Sequence, residues 1–110
     1  MYIVYLVSAE INGEFLYKIG WTKRTPEQRI KEFKTGNASN FSVVESYKSE
    51  WGSKIEALLH KKYLKYKVSG EWFNLPENEI KNFLSICNRI HDNLELISKD
   101  NTYYLDKGGF

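Results

Sequence analysis

Basic side chains bunch at Lys23, Arg24, Arg29, Lys31 and Lys34 and again at Lys61, Lys62, Lys65 and Lys67. Glu77, Glu79, Asp92, Glu95, Asp100 and Asp106 weight the last third toward acid. A phosphate-binding face would produce that division, and so would an ordinary solvated surface. The formal net charge of +2, from 16 Lys plus Arg against 14 Asp plus Glu, does not announce a polyanion partner by itself. Arg29 offers a planar fork that suits a phosphate, or equally a carboxylate such as Glu32 or Glu56. His60 follows Glu56 by four residues, so on a helix the two share a face. One cysteine, Cys87, and two histidines, His60 and His91, are too few for a Cys/His structural zinc site, and a lone cysteine forms no internal disulfide.

These groups depend on the elements that carry them. Tyr2 to Val7 is a β-branched and aromatic run, Asn12-Gly13 is a tight-turn dipeptide, and Phe15 to Trp21 is a second run, so a β-hairpin is predicted. Thr25-Pro26-Glu27-Gln28 combines an N-cap threonine, proline at the first helical position and glutamine at the third. A helix is predicted from there to near Gly36, with a thin apolar face of Ile30 and Phe33 lying over the sheet. Phe41 to Tyr47 alternates weakly and is predicted as a third strand. With Ser53 as cap, residues 54 to 67 place Ile55, Leu58, Leu59 and Tyr63 at helical spacing on a lysine-rich helix. Glu71 to Leu75, after the Ser69-Gly70 break, suits a short strand or extended piece. Beyond Pro76 a third helix is predicted to about Ile97, with Ile80, Phe83, Leu84, Cys87, Ile90, Leu94 and Ile97 as one apolar stripe.

That order predicts an α+β fold (an α/β sandwich), with a small antiparallel three-stranded sheet that begins with a β-hairpin and is flanked by about three helices. A chain of 110 residues fits one domain, expected over residues 1–98, with 99–110 as a C-terminal tail of no clear period. Its 42% apolar residues supply enough material for a core, which excludes a wholly disordered chain. The opening Met1 to Val7 has no basic leader, and its apolar run is too short to span a bilayer. With the single cysteine, this predicts a cytoplasmic protein, of a bacterial or host cell, with no membrane partner.

Ile3-Val4-Tyr5 on the first strand and Lys18-Ile19-Gly20 on the second, with Thr22 close behind, resemble the paired tripeptides that name the GIY-YIG nucleases. Arg29 on the first helix, Glu56 on the second and Glu71-Trp72-Phe73-Asn74 leading into the last follow in an order similar to the phage-type branch of that family. The resemblance covers residues 2 to 85. It departs at Ile3, where the first motif has Gly, and at Lys18, where the second has Tyr. The phage-type branch resembles this sequence in carrying Lys before Ile-Gly, and Tyr17 points to the opposite face of a regular strand, so Lys18 is the site residue expected.

The resemblance implies a divalent-metal-dependent endonuclease with Glu56 as metal ligand, Mg²⁺ or Mn²⁺ as cofactor, and Tyr5, Lys18, Arg29, His60 and Asn74 as catalytic or positioning groups. Mg²⁺ keeps most of its waters and takes one or two carboxylates, so a single Glu is chemically sufficient. Without the resemblance, Glu56 on a lysine-rich helix suits a solvated face, and Tyr5 an ordinary strand aromatic. Tyr5 would act as base or orient the attacking water. A phenol of pKa about 10 is poorly matched to neutral pH unless a cation stands beside it, and Lys18 across the hairpin is one candidate. Arg29 would hold the scissile phosphate, His60 would share the face of Glu56 or merely pack, and Asn74 would hold the geometry. Trp72 and Phe73 are expected in the core.

DNA is the substrate implied, with RNA left open, and Lys23, Arg24, Lys31, Lys34 and Lys61 are the contacts expected. One small catalytic domain offers less surface than the roughly 600 to 1,000 Å² that single reading modules bury. Low sequence specificity, recognition of a DNA structure, or a homodimer is therefore expected, in a phage, viral or mobile-element setting. Two other classes stay open: a catalytically inactive nucleic-acid-binding module of the same fold, and a protein-interaction or regulatory domain using the apolar stripe of the last helix.

Overall fold

The computed structural model describes residues 1–33 and 41–100. β1 (Tyr2–Ile11) and β2 (Glu14–Thr22) pair antiparallel from Ile3↔Thr22 to Ile11↔Glu14. Asn12 and Gly13 join them with φ of 54° and 81°, the left-handed pair whose twist matches that of the strands and which Asn-Gly adopts most readily. α1 (Pro26–Phe33) opens as predicted. The Gln28 N–H donates to Thr25 Oγ1 and the Thr25 N–H to Gln28 Oε1, both at 3.2 Å, a reciprocal cap of two otherwise orphaned donors. The predicted end near Gly36 lies outside the described residues. β3 (Phe41–Ser49) pairs with the other side of β1, with an irregularity in register at Leu6/Val7.

The second half departs from expectation in three places. α2 (Gly52–Lys62) starts before Ser53 and without a side-chain cap. Its entry is set by packing, because a Cβ on Gly52 would stand 3.2 Å from Cγ of Tyr2, and by Ser49 Oγ, which accepts the Trp51 N–H at 2.9 Å. The helix also stops at Lys62. A 3₁₀ turn (Leu64–Tyr66) leads into β4 (Lys67–Ser69), and the chain reverses at Gly70, φ 55°, into β5 (Trp72–Phe73). β5 docks on β2 through Tyr17↔Phe73 and Lys18↔Trp72, so the sheet has five antiparallel strands in the order β3-β1-β2-β5-β4 in place of the predicted three. Strands of three and two residues are too short for a period to show. The last predicted helix is two, α3 (Glu77–Lys81) and α4 (Phe83–Asp100). They part at Asn82, whose side-chain amide donates to the Asn78 carbonyl at 2.8 Å, the local competition that makes Asn a poor helix-interior residue.

The core sits between one face of the sheet and the helices α2 and α4. Val4, Leu6 and Ile19 meet Ile55, Leu59 and Tyr63 of α2, Phe73 and Leu75, and Phe83, Cys87 and Leu94 of α4, all buried. Phe73 is thus core as expected, and Trp72 is half-buried. Leu84 and Ile97, counted in the predicted stripe, are 40% and 38% exposed, because α4 presents the arc through Phe83, Cys87 and Leu94 to the sheet. Among the described residues no helix is long and apolar enough to cross a membrane.

Candidate active site at the open edge of the second strand

β5 covers β2 only at Tyr17 and Lys18, so the outer edge of β2 beyond them is free to receive other segments. Ile19 receives two. Its N–H donates to the Glu71 carbonyl at 3.4 Å, and its carbonyl accepts from His60 Nε2 at 2.8 Å. The loop before β5 and the middle of α2 are thereby fastened to one residue of the second motif. Tyr5 comes from the neighbouring strand, where it pairs with Gly20. A Cβ at Gly20 would stand 2.6 Å from Cζ of Tyr5, so the phenol lies across the space that only glycine leaves empty. Arg29 enters from α1 and hydrogen-bonds Tyr5. The result is a polar cleft of about 220 Å³ lined by Tyr5, Gly20, Trp21, Arg29, Glu56 and Glu71. At about 30 Å³ per water, it has room for on the order of seven waters, or for a phosphate and a partly hydrated ion.

Burial dominates the electrostatics of the cleft. Burial raises the pKa of Glu56, the charge of Glu71 raises it further, and His60 and Lys18 pull it down. Burial likewise raises Tyr5, against the lowering effect of the Arg29 charge and hydrogen bond and with the help of Glu71 and Glu56. Tyr5 is therefore a neutral phenol around neutral pH, and the cation beside it is Arg29. Lys18 is engaged elsewhere: its ammonium lies 2.8 Å from Glu71 Oε1 and 5.7 Å from the Trp72 ring centroid.

Of the residues singled out in the sequence, Tyr5, Arg29 and Glu56 converge, and Lys18 reaches the cleft through Glu71. His60 stands behind Glu56, with Nε2 3.7 Å from Glu56 Oε2 and its ring edge-on to Phe73 at 4.9 Å. Because a carbonyl only accepts, the Ile19 contact fixes the proton on Nε2 of His60, which makes it a positioning residue for α2. Asn74 is exposed and is not among the lining residues; its N–H donates to the Tyr66 carbonyl at 2.9 Å. Lys23, Arg24, Lys31 and Lys61 are exposed, and Lys34 lies outside the described residues.

Residues 1–91 match the model of the T5orf172 domain. The chain belongs to the T5orf172 domain family. This is a phage-associated family of endonuclease-like domains. Among curated proteins, the T5orf172 domain described here is 32% identical over 83 residues to a protein of Invertebrate iridescent virus 6 described as "Putative KilA-N domain-containing protein 315L". The match covers 72% of this chain and 35% of that protein, so the chain spans about a third of the relative's length. No solved structure matches.

Sequence reasoning gave no site role to Glu71, Gly20 or Trp21 of this T5orf172 domain. Glu71 was visible as the acidic head of the Glu71-Trp72-Phe73-Asn74 segment, but the role fell to Asn74 because nothing in the sequence shows that the Ile19 backbone would clasp Glu71. For a divalent cation the donor set fits. Glu56 and Glu71 are two hard oxygen donors lining one cleft, and burial, with the charge of Glu71 adding to it, raises the pKa of Glu56, which an oxygen-seeking ion such as Mg²⁺ or Mn²⁺ would relieve. Among the described residues no cluster of three or more His, Cys, Asp and Glu could hold an ion, so an ion in this cleft would take no more than these two carboxylates and would fill its remaining positions with water.

Proposed function

We propose that this T5orf172 domain is a divalent-metal-dependent endonuclease of the GIY-YIG type that hydrolyses phosphodiester bonds in DNA. One observation carries the reading: Tyr5, Arg29, Glu56 and Glu71, from four separate segments, converge on one polar cleft in which burial holds the Glu56 carboxyl above its ordinary pKa. Phosphodiester hydrolysis needs a positioned water, relief of charge on the phosphoryl oxygens and help for the departing oxygen. Held by Glu56 with Glu71 in support, Mg²⁺ or Mn²⁺ would supply the last two. Arg29 binds a non-bridging phosphate oxygen through its planar guanidinium. Tyr5, a neutral phenol held by Arg29, orients the attacking water by hydrogen bonding and does not remove its proton. Lys18 restrains Glu71, and His60 restrains the helix that carries Glu56.

The phage association of the family and the viral source of the relative support DNA as substrate. One such cleft cuts one strand at a time, so a double-strand break requires two copies of it or two encounters. The test is nicking of supercoiled plasmid by the purified chain with Mg²⁺ or Mn²⁺, with an EDTA control and Glu56→Ala. Nicking that requires both metal and Glu56 is expected. Binding of DNA without cutting, in either metal, would replace this reading with that of a binding module.

A further inference from the structure

The cleft is lined by one large side chain with no part in the proposed phosphoryl chemistry. Trp21 follows Gly20 on β2 and is 37% exposed, so its ring stands at the rim of the polar cleft. Of the other liners only Tyr5 is aromatic, and at 1% exposure its ring is closed to a nucleobase. Trp21 is also buttressed. The ring of Tyr2 meets it edge-to-face, centroids 5.2 Å apart and planes at 90°, which limits the rotation that a bound base would otherwise have to freeze. Beyond Tyr2, the Lys23 ammonium lies 5.6 Å from the Tyr2 ring centroid, and Lys23 makes no ion pair among the described residues.

We infer that Trp21 is a stacking platform for an unpaired nucleobase next to the scissile phosphate, with Tyr2 as its buttress and Lys23 as the cation for the adjoining phosphate. This rests on the nuclease reading of the cleft and names its substrate class: DNA with a nucleotide already outside the duplex stack, such as a bulge, flap or frayed end. A paired base has both faces covered by its neighbours, and extruding it costs a few kcal/mol that an unpaired base does not require. Stacking on an aromatic side chain tolerates any base, so the platform selects structure without reading sequence.

The test couples the platform to a single base. Cleavage of an oligonucleotide duplex with one unpaired nucleotide is compared with the fully paired duplex, and each nucleotide around the cut is then replaced by an abasic one. The wild type, Trp21→Leu and Trp21→Phe are assayed with Mg²⁺, and thermal melts confirm that each variant is folded. The wild type prefers the unpaired substrate and loses roughly tenfold in kcat/KM at one abasic position. Trp21→Leu shows the same loss on intact DNA and no further loss at that position, while Trp21→Phe keeps most of the preference. Losses that multiply, or the absence of any sensitive position, overturn the inference while leaving the nuclease reading intact. If no substrate is cut, the nuclease reading has failed, and the same cycle is measured as equilibrium binding of these oligonucleotides. There, non-additive losses still support stacking, and additive ones end it.

Discussion

Two polar clusters of this domain draw on similar side chains and reach opposite outcomes. On the far side, where β3 meets α4, Ser49 Oγ lies 2.7 Å from His91 Nδ1 and accepts the Trp51 N–H, and Trp51 Nε1 donates to Glu95 Oε1 at 3.3 Å. His91 Nε2 lies 3.8 Å from the same Glu95 oxygen, and Tyr47 donates to Asn88 Oδ1 at 3.0 Å. Serine, histidine and glutamate in a row resemble a nucleophile set, but Ser49 is 1% exposed and its oxygen is already used twice. These groups pair among themselves across β3 and α4, so the cluster is closed on itself and ties helix to sheet. In the cleft, two carboxylates line one space, burial holds Glu56 above its ordinary pKa and room is left for more than the side chains fill. Polar groups that satisfy one another hold a fold together, whereas a desolvated carboxyl beside open space marks where a ligand completes the set.

The sharpest break of that contrast comes from Glu56. Glu56→Gln keeps the shape and removes the charge, and it should lower metal-dependent nicking by about 10²-fold or more, the scale at which a charge-stabilising group acts in a hydrolytic site. The same variant should also lose the rise in melting temperature that Mg²⁺ gives the wild type by binding only the folded state. If Mg²⁺ protects the variant as well as the wild type, Glu56 is not a metal ligand.

Gly20→Ala comes next. The new methyl falls on Cζ of Tyr5, backed by a strand on one side and Arg29 on the other. The phenol must move, and activity should drop roughly ten- to a hundredfold, in line with the cost of misplacing a reacting group. Stability should fall by about 1 to 3 kcal/mol, as overpacking commonly does. Nicking and urea denaturation measured together check both, and an unchanged rate would place Tyr5 outside the reaction.

The unequal legibility of the two halves of the chain has a physical cause. The hairpin turn and the cap of α1 were legible because Asn12-Gly13 and Thr25 to Gln28 each fix geometry within four residues. Tyr5, Arg29 and Glu56 were reached through motif order, and they do meet. The five-stranded sheet was not legible, since β4 and β5 exist only by pairing with residues far along the chain, Phe73 with Tyr17 and Trp72 with Lys18. Glu71 stayed hidden for the same reason: it is placed by a backbone bond to Ile19, and backbone bonds leave no trace in residue type. The far cluster joins residues 41 to 44 positions apart and gave no signal either.

Tyr5 sharpens the contrast through pH. Burial raises its pKa above 10, so the phenol stays protonated across the working range. Tyr5→Phe should cost about tenfold in rate, the loss of one orienting hydrogen bond, without changing the shape of the pH-rate profile between about pH 6 and pH 9. A limb in the wild-type profile that Tyr5→Phe abolishes would make Tyr5 the base. The linkage has a definite sign. A raised phenol pKa in the folded state contributes stability that is present below the unfolded value and is lost as pH climbs through the folded one. Above about pH 10 the wild type should therefore lose stability faster than Tyr5→Phe does.

The smallest effect on activity is expected where the chemistry looks most familiar. Ser49→Ala removes the acceptor of the Trp51 N–H and the partner of His91 Nδ1 in a buried place, and a buried donor left unpaired costs about 1 to 3 kcal/mol. The melting temperature should fall by several degrees, while nicking per folded molecule stays as in the wild type, since the cluster does not line the cleft. Trp51 precedes α2, the helix that carries Glu56, so this variant also asks whether the entry of α2 sets the cleft. A loss of nicking beyond the loss of folded protein would show that the closed cluster holds Glu56 in place. The two regions would then be one device, and the distinction between self-satisfied and ligand-seeking polarity would have to be drawn within it.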